Sequence, residues 1–183
     1  MKKVSFIIFV ILIIVGFGVS WKITKKEVSL VTNFEECVAL GNPVMESYPR
    51  QCRAGNKTFV EDIGNEFEKT ELIRIDYPRP NQVIESPLVI EGQARGFWFF
   101  EASFPVDLID KNGNIIASGI ATANPPAGGD WMTEEFVPFE ATLNFVIDDS
   151  LADNKGVLIL KKDNPSGLPE YEDSLIVPVL FKI

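Results

Sequence analysis

The chain has 183 residues, 46% apolar and 11% aromatic, enough to bury a core and too apolar for wholesale disorder. That length suits one domain of roughly 100–150 residues with appendages. Five of the 17 basic residues (Lys2, Lys3, Lys22, Lys25 and Lys26) precede residue 30, where Glu27 is the single acid; beyond it 12 bases face 25 acids, a balance of −13. So acidic a body repels phosphate backbones, and no basic patch with interleaved aromatics occurs, which argues against nucleic-acid binding.

Lys2 and Lys3 precede an apolar run from Val4 to Trp21 whose only polar members are Ser5 and Ser20. As a helix these residues would span about 27 Å, close to the roughly 30 Å of bilayer hydrocarbon. Trp21 falls where an interfacial aromatic belongs. Residues 1–21 are therefore expected to enter a membrane, as a transmembrane anchor or a signal segment. The run is longer than a usual signal core, and Val15 to Ser20 offer no Ala-x-Ala cleavage site, which favours the retained anchor. No Cys follows the run, so a lipoprotein anchor is excluded. Lys22, Lys25 and Lys26 on the far side weaken the positive-inside bias. Residues 22–32 read as a basic, polar linker.

Cys37 and Cys52 enclose a short polar loop in a stretch, residues 33–63, expected to form a small module of its own. The spacing is wrong for a redox Cys-x-x-Cys pair, and without His two thiolates alone cannot complete a zinc site. A disulfide is expected, which implies an extracytoplasmic setting; the alternative is two reduced thiols in a cytosolic tether. Asn56-Lys57-Thr58 matches a glycosylation tripeptide of a kind that arises often by chance.

Residues 64–71 are acidic and polar and read as a linker; residues 72–183 form the main domain. Strands are expected at Leu72–Asp76, Leu88–Ala94, Ala102–Asp110, Asn114–Ala123, Phe136–Ile147, Val157–Lys161 and Leu175–Lys182. Asn112-Gly113 between two apolar runs is a strong hairpin signal. Phe139, Ala141, Leu143 and Phe145 share one face of their strand. About seven short strands without a sustained helical period predict an all-β, antiparallel β-sandwich. Pro105, Pro138 and Pro178 within strands predict edges, bulges or strand starts.

Residues 72–182 also resemble a known family. The resemblance is carried by Ser86 to Gly96, Trp98 to Val106, Asp110 to Asn114, Gly129 to Thr133 and Phe136 to Ala141, in family order. The family is the immunoglobulin-like domain of bacterial spore germination. Ala123 to Gly128 make a loop longer than its usual pattern. The resemblance implies an immunoglobulin-like sandwich and a cell-envelope accessory or adhesive role without known catalysis. It supports placing the body outside the cytoplasm, membrane-anchored, or secreted if residues 1–20 are cleaved. The cysteine module resembles a short segment that often precedes this domain.

Catalytic signatures are lacking. Without His there is no Ser-His-Asp triad, and no P-loop or Gly-x-Gly-x-x-Gly sequence occurs. Glu134-Glu135 and Asp148-Asp149 are neighbours in sequence and do not straddle a cleft as glycosidase carboxylates must. The expectation is a protein that is not an enzyme and needs no cofactor. Two acidic loops hold oxygen ligands, one with Asp148, Asp149, Asp153 and Asn154, the other with Asp163, Asn164, Glu170, Glu172 and Asp173, but neither has EF-hand spacing. They read as acidic turns.

Aromatics are the sharper signal. Phe97-Trp98-Phe99-Phe100 would place two rings outward if the stretch were a strand, and Trp131 follows Gly128-Gly129-Asp130. Trp98, Phe100 and Trp131 are thus candidate partner-binding aromatics, with Asp130 and Glu134 as polar neighbours. The alternative is that these rings close the core. Two functions follow: an adhesion or assembly module binding an envelope protein or polysaccharide, or a structural spacer or sensor ectodomain with no ligand of its own.

Overall fold

The computed structural model describes residues 31–147 and 154–182. The expected membrane segment, residues 1–21, lies outside them, as do Asp148, Asp149 and Asp153. Among the described residues no helix is long and apolar enough to cross a membrane.

The cysteine module opens with α1 (Phe34–Ala39). Asn33 caps it, its side-chain oxygen accepting from the Glu36 amide at 2.8 Å, while the Glu36 carboxylate accepts from the Thr32 amide at 2.8 Å. Strands β1 (Val44–Met45), β2 (Gln51–Ala54) and β3 (Lys57–Val60) follow as one small antiparallel sheet. Its core is Phe34, Cys37 and Cys52, with Val31, Val44, Ala54 and Phe59 packed around them. The two cysteines form the expected disulfide, their Cα atoms 6.0 Å apart. So small a core cannot offset the entropy of ordering some 30 residues.

Residues 64–71 contain a short helix, α2 (Glu66–Lys69). The main domain then runs β4 (Ile73–Tyr77), β5 (Val83–Ile84), β6 (Leu88–Arg95), β7 (Ser103–Asp110), β8 (Ile115–Ala123), β9 (Phe136–Leu143), β10 (Lys155–Lys161) and β11 (Ser174–Phe181). Their hydrogen-bonded order is β4-β6-β9-β8-β7-β10-β11-β5. Only Thr122↔Glu140 and Ala123↔Phe139 join β8 to β9, so the ladder folds over at that corner. This gives two layers, β4-β6-β9 against β8-β7-β10-β11-β5. Buried residues alternate along β6, β7, β9, β10 and β11, and their inward sides merge into one core.

The seven expected strands are present, and β5 is an eighth. Only Val83 and Ile84 pair, parallel to β11, too short a run for any alternation to register. The Lys111-Asn112-Gly113 hairpin is held by Asp110, whose carboxylate accepts from the amides of Asn112 and Asn114, each at 2.8 Å. The prolines correct one expectation. Pro105, Pro138 and Pro178 lie inside strands paired on both flanks, not at sheet edges. Each sits just beyond the end of one ladder: past Val106↔Leu160, past Phe139↔Ala123, and before Leu180↔Val83. The missing N–H therefore removes no bond on that side.

The layers meet at Phe139. Its ring packs edge-on against Phe104 of β7, centroids 5.0 Å apart, and Phe104 in turn lies 5.3 Å from Phe99. Gly92 makes room: a Cβ there would stand 2.6 Å from the Phe139 ring and 2.2 Å from the Arg74 carbonyl oxygen. Opposite it, β4 carries a bulge between Ile75 and Tyr77.

Replacing both module cysteines (C37A/C52A) is expected to cost the module about 3 kcal/mol, the chain entropy released by opening a loop of this length. Hydrogen exchange should read this as faster exchange at β2 amides with unchanged protection in β6 and β9.

Candidate functional site

Three loops gather at one end of the sandwich: 96–102 between β6 and β7, 124–135 between β8 and β9, and 162–173 between β10 and β11. The ladders place them together, because Arg95 pairs with Phe136, Ser103 with Thr122 and Lys161 with Ser174. Two hydrogen bonds tie them: Arg95 Nη1 donates to the Glu134 carbonyl at 3.1 Å, and the Asp163 amide donates to the Trp98 carbonyl at 3.0 Å.

The aromatic run Phe97 to Phe100 is not a strand. A 3-10 turn over Gly96–Trp98 breaks the alternation, so Trp98 and Phe99 point inward while Phe97 and Phe100 point out. Trp98 is fully buried in the core and offers no surface to a partner, a correction to its candidacy. Its Nε1 has no hydrogen-bond partner among the described residues. Trp131 is half-buried and packs against the core. Of the three candidate rings, Phe100 is the exposed one, at 44%. Sequence reasoning missed Phe97 (51% exposed), Met132 (69%) and Tyr171 (55%), together with exposed Leu168. The signal lay in large apolar side chains inside Gly- and Pro-rich loops, where turns present them to water.

Beside Phe100 the backbone is strained. Phe100 and Ser103 exchange two hydrogen bonds, 2.9 and 3.0 Å, around Glu101 and Ala102, at φ 50° and 60°. Such two-residue turns favour Asn-Gly, since a Cβ is disfavoured at positive φ. Strain of this kind, of order 1–3 kcal/mol per residue, concentrates at functional segments.

A second feature is the junction between module and sandwich. The stretch expected as a linker is fastened to β11. Asn65 donates to the Ser174 carbonyl (2.9 Å), its side-chain oxygen accepts from the Ile176 amide (2.7 Å), and its own amide donates to the Ile176 carbonyl (3.3 Å). Gly64 sits where any Cβ would lie 1.9 Å from the Ile176 carbonyl oxygen. Lys69 of α2 pairs with Asp173 at 2.5 Å. Further along, Arg79 pairs with Glu66 at 2.6 Å, donates to the Tyr48 hydroxyl at 2.8 Å, and lies over the Tyr48 ring. The Tyr48 hydroxyl also donates to the Glu66 carboxylate. Partial burial, with that carboxylate beside it, pushes the Tyr48 phenol up to about 12.

Glu61, almost buried, accepts from Arg50 Nε at 2.9 Å and Nη2 at 2.5 Å, and from Asn81 at 3.2 Å. The Arg50 hydrogen bonds hold its carboxyl below the ordinary range. A cleft of about 340 Å³ remains under the module, lined by Phe34, Arg50, Glu61, Lys155, Val157 and Val179 among others. Two of its rim cations are matched within the protein, Arg50 by Glu61 and Lys155 by Glu35 at 3.5 Å.

A family model described as the immunoglobulin-like domain of bacterial spore germination matches residues 72–167, 96 of the chain's 183 residues. The chain belongs to this family. The match ends inside the loop between β10 and β11, so β11 extends the germination-type domain beyond it. No curated protein and no solved structure matches the chain. Among the described residues, no three carboxylates or thiolates are grouped as a metal would need.

Two outcomes follow. Glu61 is depressed in the folded state, so its stabilisation is present above the ordinary Glu value of 4.5 and is lost as pH falls through its lower folded value. The Asn81 side-chain amide shift, followed by NMR from pH 7 downward, should stay constant to about that point and then move; Glu61→Gln should flatten the change. Replacing the strained pair with the turn-favoured residues (E101N/A102G) should raise stability by about 1–2 kcal/mol. An unchanged melting temperature would show that the turn stores no strain.

Proposed function

We propose that the protein is a non-catalytic, membrane-anchored, extracytoplasmic accessory module of the cell envelope that meets a partner through the three loops at one end of its sandwich. The observation that carries this reading is the exposure of Phe97, Phe100, Met132, Leu168 and Tyr171 on those loops. Gathered on adjoining loops at one end, these side chains offer apolar surface for a partner to cover.

The direction of the chain supports it. Glu35, near the start of the described chain, touches Lys155, the first residue of β10, while β10 ends at Lys161 beside the loops. The two ends of this seven-residue strand stand six residue steps apart, about 20 Å. An anchor at residues 1–21 would therefore enter from the side away from the loops and leave them facing outward. One observation favours the second reading, a structural spacer or sensor ectodomain without a ligand: Trp98 is wholly core and Trp131 half so.

The test uses the full-length chain in bacterial cells. It should stay with the membrane pellet after an alkaline carbonate wash and be degraded by protease added outside. A photoreactive amino acid at Phe97 or Tyr171 should cross-link to a partner, and one at exposed Val89 on the β4-β6-β9 face should not. Equal labelling at all three positions, or none, would favour the spacer.

A further inference from the structure

We infer that the loop end accepts a cationic, apolar-bearing segment of another protein, an inference that rests on the loop-end reading above and names its partner's chemistry. Loops 96–102, 124–135 and 162–173 contain eight carboxylates and a single basic residue, Lys162. More than half of the −13 carried beyond residue 30 is thus concentrated at the end that shows the exposed rings. Asp173 is paired with Lys69, and Glu135 lies 3.9 Å from Arg95. The other six, Glu101, Asp130, Glu134, Asp163, Glu170 and Glu172, form no ion pair among the described residues.

The protein shows elsewhere what such a pairing of ring and carboxylate is for. Arg50 lies over Phe34 and pairs with Glu61; Arg79 lies over Tyr48 and pairs with Glu66. Arg74 and Arg95 both stand 4.1 Å from the Phe136 ring centroid, and both pair with Glu71. At each place a guanidinium lies over a ring and is neutralised by an acid.

The loop end has the same two components and few cations. Phe100 adjoins Glu101, Tyr171 stands between Glu170 and Glu172, and Met132 lies between Asp130 and Glu134 in sequence. Phe97 already takes one ammonium, with Lys162 Nζ 5.9 Å from its centroid. A partner supplying Arg or Lys between apolar side chains completes this arrangement. An anionic polymer is repelled, and a neutral glycan, whose hydroxyls can donate to carboxylates, brings no charge to neutralise six of them.

The test measures binding of two fluorescein-labelled twelve-residue peptides, one mixing Arg with Leu and one Glu with Leu, to the full-length chain in a non-ionic micelle. A chitin oligosaccharide serves as the glycan probe. The Arg/Leu peptide should bind and weaken about tenfold between 50 and 300 mM salt, as screening shortens the reach of the carboxylates. Phe97→Ser with Tyr171→Ser should weaken it about tenfold, and so should Glu134→Gln, Glu170→Gln and Glu172→Gln together. All five side chains are exposed, and circular dichroism checks that each variant is folded.

Preference for the Glu/Leu peptide or the oligosaccharide overturns the proposal. If the serine pair abolishes binding while the glutamine triple leaves it intact, the loop-end reading stands and the cationic chemistry falls. If neither set matters, both fall.

Discussion

The distance between the two layers is set by one ring and the absence of one carbon. Phe139 reaches across to Phe104, and it can lie flat against β6 only because Gly92 has no side chain beneath it. The same vacancy lets the bulged β4 backbone come close to β6 from the other direction. Burial of a Phe ring contributes about 1.5–3 kcal/mol, so Phe99, Phe104 and Phe139 together supply a large part of a marginal net stability. They also fix the start of β7, and through it the tight turn at Glu101 and Ala102 that presents Phe100. The geometry of the loop end is thus inherited from the core under it.

The module depends on the sandwich in a different way. Its own apolar core is three buried residues, two of them the disulfide. What positions it is polar: the Asn65 amide laid along β11, and the Arg79–Glu66–Tyr48 and Arg50–Glu61–Asn81 groups. Gly64 and Asn65 occupy the flank of β11 at Ser174–Ile176, short of where β5 takes over at Leu180. An edge that would otherwise expose unpaired amides is closed by the segment that joins the two units.

Much of this was legible beforehand, for identifiable reasons. Strands β6, β7, β9, β10 and β11 announce themselves because burial on one side imposes a period of two on their residues. Asn112-Gly113 marked its hairpin, and Cys37 and Cys52 marked their cross-link. Reading failed where the determinant was not periodic. Three residues of 3-10 turn shift the phase of the Phe97–Phe100 run and send Trp98 into the core, against the expectation for a strand. β5 is two residues long, so neighbouring β11 defines it rather than its own pattern. Glu61 and Glu66 looked like surface acidity because their partners, Arg50 and Arg79, lie 11 and 13 positions away. Glu66 in particular belonged to a stretch whose composition alone suggests a solvated linker.

The disulfide also bears on how the protein carries load. Along the covalent chain, tension between Val31 and the loop end passes through Cys37 and Cys52, and the cross-link keeps residues 38–51 out of the path. Fully drawn out, those 14 residues would add roughly 50 Å of slack. With the cross-link intact they add none. The load then falls on the contacts that join module to sandwich: Asn65 on β11, Arg79 with Glu66, and Asn81 with Glu61. Under load the cross-linked loop keeps its length, and extension begins at the polar junction between module and sandwich.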